Sequence, residues 1–286
     1  VSEAKLIQAV ELVGELDDPA LLVLDATAFL RREIEGGPYV VESGRRSFDE
    51  RHIPGAVFAD IPGELSDPDS PFRFTVPTPN YFARAIGALG VGDGVHVVVY
   101  AQESPMWATR LWWLLRYFGF SDVRVLDGGL AAWMAAGLDV TSKVRLPRAR
   151  TFIPSTRSEL LATKRDVVDI LAGEPACLLN ALPTKAFRGE GPGSYSRPGR
   201  IPGSLSIPSA DVLDPSTGRF RDHEWLASTL QVATKSEVPV VAYCGGGISA
   251  TLDIFALSLV GRDDVRLYDG SLTEWSADPT LPLVVD

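Results

Sequence analysis

Tyr243-Cys244-Gly245-Gly246-Gly247-Ile248-Ser249 is the segment whose residue types and spacing point most directly to chemistry. A cysteine ends the apolar run Val240-Val-Ala242, three glycines follow, and a helical pattern runs from about Ser249 to Leu259. Strand, glycine loop and helix start together form an anion cradle. The first N–H groups of a helix lack intrahelical partners, and glycine lets the backbone curl tightly around the centre. A helix N-terminus favours a nearby anion by up to about 2 kcal/mol in a partly buried setting, and loop amides aimed at the sulfur add to this. Such a cysteine can act as a nucleophile with no neighbouring base. The second cysteine, Cys177, sits inside Ala176-Cys-Leu-Leu179 and reads as a small core residue of a strand.

The elements that position this loop occur twice. His52-Ile-Pro-Gly55 returns as Arg200-Ile-Pro-Gly203, 148 residues later. Val95-His-Val-Val-Val-Tyr100 returns as Val238-Pro-Val-Val-Ala-Tyr243 at an offset of 143, and Val125-Leu-Asp-Gly-Gly-Leu-Ala-Ala-Trp133 as Leu267-Tyr-Asp-Gly-Ser-Leu-Thr-Glu-Trp275 at 142. Three matches in one order indicate a duplicated domain with small insertions. In each copy short apolar runs alternate with helical patterns. Leu21–Leu24, Val95–Tyr100 and Val123–Leu126 read as strands of the first copy, and Cys177–Leu179, Val240–Ala242 and Val265–Tyr268 as strands of the second. Trp107, Leu111, Leu114, Leu115 and Phe118 recur at helical spacing ahead of Gly119, and the stripe of Trp107, Trp112 and Trp113 reads as core and domain interface. The expected fold is α/β: two tandem domains, each a mostly parallel sheet with helices on both faces. The boundaries expected are 1–143 for the first domain, 144–158 for a linker in which Pro147, Arg148 and Arg150 break the periodicity, and 159–286 for the second. A cleft between such halves is the expected place for a site.

With 286 residues the chain is long enough for two cores. Its 27 Lys and Arg against 37 Asp and Glu give a formal charge of −10, without the basic face that nucleic acid or an anionic membrane surface requires. No apolar stretch reaches membrane-spanning length. Two cysteines and three histidines at unrelated spacings predict no structural metal site and a reducing, cytoplasmic location.

The duplicated domain, the Ile-Pro-Gly turns, the Cys-Gly-Gly-Gly-Ile-Ser loop and the Tyr-Asp-Gly-Ser…Glu-Trp ending resemble the tandem rhodanese-domain sulfurtransferases, over essentially the whole chain. The resemblance implies an inactive N-terminal domain, an active C-terminal domain and a pocket between them. Ala101, the repeat counterpart of Cys244, agrees with this, and its loop Ala101-Gln-Glu-Ser-Pro105 lacks glycines. It further implies that Cys244 takes a sulfane sulfur from a small anionic donor and passes it to cyanide, a thiol or a protein thiol such as thioredoxin, with no cofactor. Thiosulfate-preferring members resemble Cys-Arg-Lys-Gly in the loop and 3-mercaptopyruvate-preferring ones Cys-Gly-Ser-Gly. The uncharged Gly245 and Gly246 lean towards mercaptopyruvate, with a thiosulfate preference as the alternative, although the family serine is missing.

Phe187-Arg188-Gly189 matches a family segment whose arginine holds the substrate carboxylate, and Arg197 is the candidate for a second such arginine. His52 matches a histidine proposed to act near the cysteine, against the alternative that it pins a turn; Glu42-Ser-Gly44 stands where its acidic partner is expected. Asp25 and Asn180, at the ends of the first strands, read as loop-shaping groups. Two other classes compete. A related phosphatase needs Cys-x5-Arg, and position 250 is Ala. A non-catalytic rhodanese-like binding module would have no need of the retained cysteine and open glycine loop.

Overall fold

Short β-branched and leucine-rich runs form the sheets of the computed structural model, which describes residues 5–32, 39–190 and 195–286. In the first half the strands are β1 (Leu6–Ile7), β2 (Leu21–Asp25), β3 (Ala28–Arg32), β4 (Tyr39–Ser43), β5 (Val57–Phe58), β6 (His96–Tyr100) and β7 (Val123–Leu126). The helices are α1 (Ala9–Glu15), α2 (Arg45–Glu50), α3 (Pro79–Ala88), α4 (Met106–Tyr117) and α5 (Gly129–Ala135). Five strands pair in the order β1-β7-β6-β2-β5, all parallel, and β3 and β4 form a separate antiparallel pair.

The second half contains β8 (Leu161–Ala162), β9 (Cys177–Asn180), β10 (Leu205–Ser206), β11 (Val240–Tyr243) and β12 (Arg266–Tyr268). Its helices are α6 (Lys164–Leu171), α7 (Thr184–Phe187), α8 (His223–Thr229), α9 (Gln231–Thr234), α10 (Ala250–Leu259) and α11 (Ser271–Ala277). The sheet order is β10-β9-β11-β12-β8, again all parallel, which is the order of the first sheet with each strand replaced by its repeat. The duplication read from the sequence is thus a duplication of topology.

Alternation along β2 shows why both faces must be covered. Leu22 and Leu24 join a core with Phe82 and Ile86 of α3, whereas Leu21 and Val23 join one with Leu12 of α1, Phe48 of α2 and Trp133 of α5. The same small devices finish each copy. The Tyr100 hydroxyl accepts the Ile53 N–H at 3.2 Å, and the Tyr243 hydroxyl the Ile201 N–H at 3.1 Å, so each Ile-Pro-Gly turn is pinned to the end of the central strand. Asp25 Oδ1 accepts the Thr27 N–H at 2.9 Å and Asn180 Oδ1 the Leu182 N–H at 2.8 Å, the local turns expected of loop-shaping side chains.

Residues 142–157 form no helix or strand. They run along the first domain through Arg150 N–H to Gly87 O (2.8 Å) and Ser155 N–H to Phe118 O (2.9 Å). The two halves meet through α4 and α10, where Trp112 packs edge-on against Phe255 with ring centres 4.8 Å apart. Trp107, Trp112 and Trp113 are all buried, as core and interface.

Candidate active site

Cys244 follows the last residue of β11 and is buried, with 1% of its surface exposed. The loop after it is closed by the Asp269-Gly-Ser271 turn that follows β12. Ser271 Oγ accepts the N–H groups of Cys244 (3.1 Å) and Gly247 (3.2 Å) and donates to Tyr268 O (2.8 Å). Thr273 donates both its N–H and its hydroxyl to Gly245 O, at 2.8 and 2.6 Å. Two amides are therefore spent on holding the curl. Those of Gly246, Ile248 and Ser249 donate to no group among the described residues and remain for an anion at the start of α10.

The glycines have different reasons to be glycine. At Gly247 φ is +74°, and a Cβ would lie 2.7 Å from Asp269 O. At Gly245 a Cβ would collide with the Tyr195 hydroxyl, so Tyr195 lies directly against the loop. Gly246 has room: its nearest neighbours are Phe74 at 3.6 Å, Thr273 Oγ1 at 3.7 Å and Arg73 O at 3.9 Å from a Cβ. Ser271 itself sits at φ +50°, where its repeat counterpart is Gly129 at +54°. A serine in this region carries backbone strain, and its three hydrogen bonds account for its presence.

Phe74 and Arg73 belong to the first domain, so its segment 66–76 crosses onto the cysteine loop. Arg110 of α4 fixes the crossing. Its guanidinium donates to Asp269 Oδ1 (2.7 Å), to Gly247 O (3.1 Å) and to Phe74 O, while Val76 N–H donates to Asp269 Oδ2 (2.7 Å). Phe74 is held at φ +67°, a second strained non-glycine residue at the loop. The repeat has a simpler version: Asp127 Oδ1 accepts the Phe220 N–H at 2.9 Å, so a segment of the second domain crosses onto the Ala101 loop in turn.

The structure brings Cys244 together with Gly245, Gly246, Gly247, Ile248 and Ser249, but the other three expected residues stand elsewhere. His52 is buried, stacked on Phe48 with ring centres 4.0 Å apart, its Nδ1 at 2.7 Å from Phe48 O and its Nε2 at 3.3 Å from Lys143 O. These contacts all lie in the first domain. Arg197 donates to the carbonyls of Ser276 (3.0 Å), Leu281 (2.9 Å), Trp275 (3.4 Å) and Asp278 (2.6 Å). Carbonyls in the last turn of α11 and just after it attract a guanidinium, so this arginine clamps the C-terminal segment instead of facing the loop. Arg188 is half-exposed, 3.9 Å from Glu190 and 4.0 Å from Asp286, and none of its contacts reaches the cysteine loop. Sequence reasoning missed Arg110, Ser271, Thr273 and Tyr195. The recurring Asp-Gly-Gly/Asp-Gly-Ser motif was the available signal for the turn that closes the loop.

Cys244 is thus a buried cysteine in an amide-lined loop between strand and helix, in one of two like α/β domains. The rhodanese-like domain model matches residues 8–136 and 185–278. A probable 3-mercaptopyruvate sulfurtransferase of Pseudomonas aeruginosa is 38% identical over 290 residues, covering 99% of both chains. A thiosulfate sulfurtransferase of Gallus gallus is 32% identical over 257 residues, covering 89% of this chain and 86% of that one. The crystal structure of the 3-mercaptopyruvate sulfurtransferase SseA of Escherichia coli superposes with a TM-score of 0.80 at 30% identity, over 94% of this chain and 98% of that one. The chain belongs to the rhodanese family, as a tandem-domain sulfurtransferase. It is therefore an enzyme and not a bare binding module. Among the described residues no helix is long and apolar enough to cross a membrane.

Proposed function

We propose that Cys244 carries the sulfur, taking it from 3-mercaptopyruvate in preference to thiosulfate and passing it to cyanide, a thiol or a protein thiol such as thioredoxin. The observation that carries this reading is the loop itself, in which the amides of Gly246, Ile248 and Ser249 have no partner among the described residues beside a buried cysteine, and Gly245 and Gly246 bring no charged side chain of their own. The Cys244 thiolate attacks the donor sulfur. With mercaptopyruvate the carbon–sulfur bond breaks, and its electron pair leaves on the enolate of pyruvate, which then takes a proton. With thiosulfate the sulfur–sulfur bond breaks and sulfite leaves with the pair. The acceptor then attacks the outer sulfur of the persulfide and the Cys244 thiolate departs, so the first half-reaction turns the thiolate into a persulfide and the second restores it, both beside the same amides.

The neutral loop supports the monoanionic donor, because a dianion gains most from side-chain cations within the loop. In this reading the first domain is catalytically silent, with Ala101 in place of the nucleophile. Incubation with either donor should add one sulfur mass to Cys244 by intact-protein mass spectrometry, and Cys244→Ser should not load. A wild type that loads from neither donor refutes the reading. Side-by-side kinetics decide the donor, and a large kcat/KM advantage for thiosulfate reverses that part of it.

A further inference from the structure

We propose that Arg73 of the first domain supplies the positive charge that draws the anionic sulfur donor to Cys244, an inference that rests on the proposed reading of Cys244 as sulfur carrier. The other arginines around the site are spent or turned away. Arg110 is fully buried and committed to Asp269, Gly247 O and Phe74 O. Arg197 is committed to four backbone carbonyls. Arg188 faces Glu190 and Asp286.

Arg73 differs on each count. Its carbonyl lies 3.9 Å from the Cβ position of Gly246, which places its backbone beside the mouth of the loop. It is exposed, and it makes no ion pair or hydrogen bond among the described residues. It lines an open groove of about 370 Å3 together with Ser66, Asp67, Ser70, Phe72 and Phe74. The one carboxylate of that groove, on Asp67, accepts the Asp69 N–H at 3.0 Å and does not pair with Arg73. The position of Arg73 is also enforced. The next residue is held at φ +67° by Arg110 on its carbonyl, and Val76 is tied to Asp269. A guanidinium without a partner among the described residues, carried on a backbone held beside Gly246 in a chain of net charge −10, makes the approach to an anion-binding loop locally attractive to an anion that the net charge otherwise repels. Arginine also presents the planar fork that a carboxylate or sulfonate-like group accepts.

Alkylation tests this without any sulfur donor. Iodoacetate is an anion and iodoacetamide is neutral, so the ratio of their rates at Cys244 reports local charge and cancels changes in thiol reactivity. Removing one charge near a solvated entrance should lower that ratio about threefold in Arg73→Ala and about tenfold in Arg73→Glu at low salt, and the difference should fade as salt rises. Arg73→Lys should keep most of the ratio. Arg46→Glu makes the same change of net charge at a side chain 89% exposed on α2, and should leave it unchanged. The Arg73 variants should raise KM for the donors in the same proportion and alter kcat little. Equal ratios in Arg73→Glu and Arg46→Glu overturn the proposal, whether or not the wild type loads sulfur. A wild type that fails to load overturns the sulfur-carrier reading instead.

Discussion

Thr109 and Thr251 hold the same place in the two repeats, and their hydroxyls hydrogen-bond each other across the domain interface at 2.8 Å. Thr251 also donates to Ile248 O (2.7 Å), within the cysteine loop, and Thr109 lies one residue before Arg110. The local two-fold relation between the halves thus passes beside the site. The loop of the second domain is built where the first domain can reach it, and Arg110, Phe74 and Arg73 do so.

This pair predicts a measurable coupling. Thr109→Val and Thr251→Val should each destabilise the protein by about 1–2 kcal/mol, since each leaves a buried hydroxyl with one partner fewer. The double variant should cost less than the sum, with a coupling of about 1 kcal/mol in urea denaturation.

Ser271 separates strain from hydrogen bonding. Ser271→Gly relieves the φ of +50° but removes the hydroxyl that holds the Cys244 and Gly247 amides. Activity in this variant should fall at least about tenfold, because the curl that orients the Gly246, Ile248 and Ser249 amides towards developing charge loses its tie, while its melting temperature should change less than that of Ser271→Ala. Equal activity in Ser271→Gly and wild type would show the hydroxyl to be dispensable.

The three glycines should respond unequally. Gly247→Ala should be the most damaging to folding, because it combines a φ of +74° with a 2.7 Å approach to Asp269 O. Gly245→Ala must displace Tyr195 and should lower activity more than stability. Gly246→Ser meets nothing closer than 3.6 Å and should fold as the wild type does; in steady-state assays with both donors it should shift selectivity further towards mercaptopyruvate.

Stability should depend on pH through Asp253. This carboxyl is buried with neither oxygen hydrogen-bonded, and burial, followed by the proximity of Cys244 and Asp211, pushes its pKa well above the ordinary carboxylate range. A raised pKa in the folded state means the folded protein holds the proton more tightly than the unfolded chain does. The contribution is therefore fully present below the unfolded value near 3.8 and is lost as pH rises towards the folded one. The repeat counterpart is the buried apolar Leu111. Asp253→Leu should raise stability at pH 7 by about 2 kcal/mol and flatten the fall with rising pH in thermal melts. Asp166 works in the opposite direction. Burial raises its pKa, but the Thr163 hydroxyl and Arg266 outweigh it and hold the value at about 2. Its contribution is present above 3.8 and lost as pH falls towards 2, and is worth about 1 kcal/mol after solvent screening.

The sequence alone determined the duplication, the central strands and the cysteine loop. Repeat offsets and apolar runs are local patterns, and backbone periodicity turns them into strands and helices whatever the surroundings. The expected helix over Trp107–Phe118 is α4 over Met106–Tyr117, and Gly119 ends it at φ +93°. The short edge strands β1, β5, β8 and β10, of two residues each, gave no such pattern, because an edge strand that short shows no period.

Only the tertiary structure decided what each arginine and histidine near the site does. Arg188, Arg197 and His52 match sequence motifs, yet a long polar side chain takes whichever partners the packed chain leaves unpaired. For Arg197 these are the carbonyls of the last turn of α11 and of the segment after it; for His52 they are those of Phe48 and Lys143. The Arg110–Asp269 pair joins residues 159 positions apart and exists only because α4 and α10 pack against each other. That packing also carries Arg73 to the edge of Gly246. No spacing in the chain encodes an adjacency that two separately folded surfaces create when they meet.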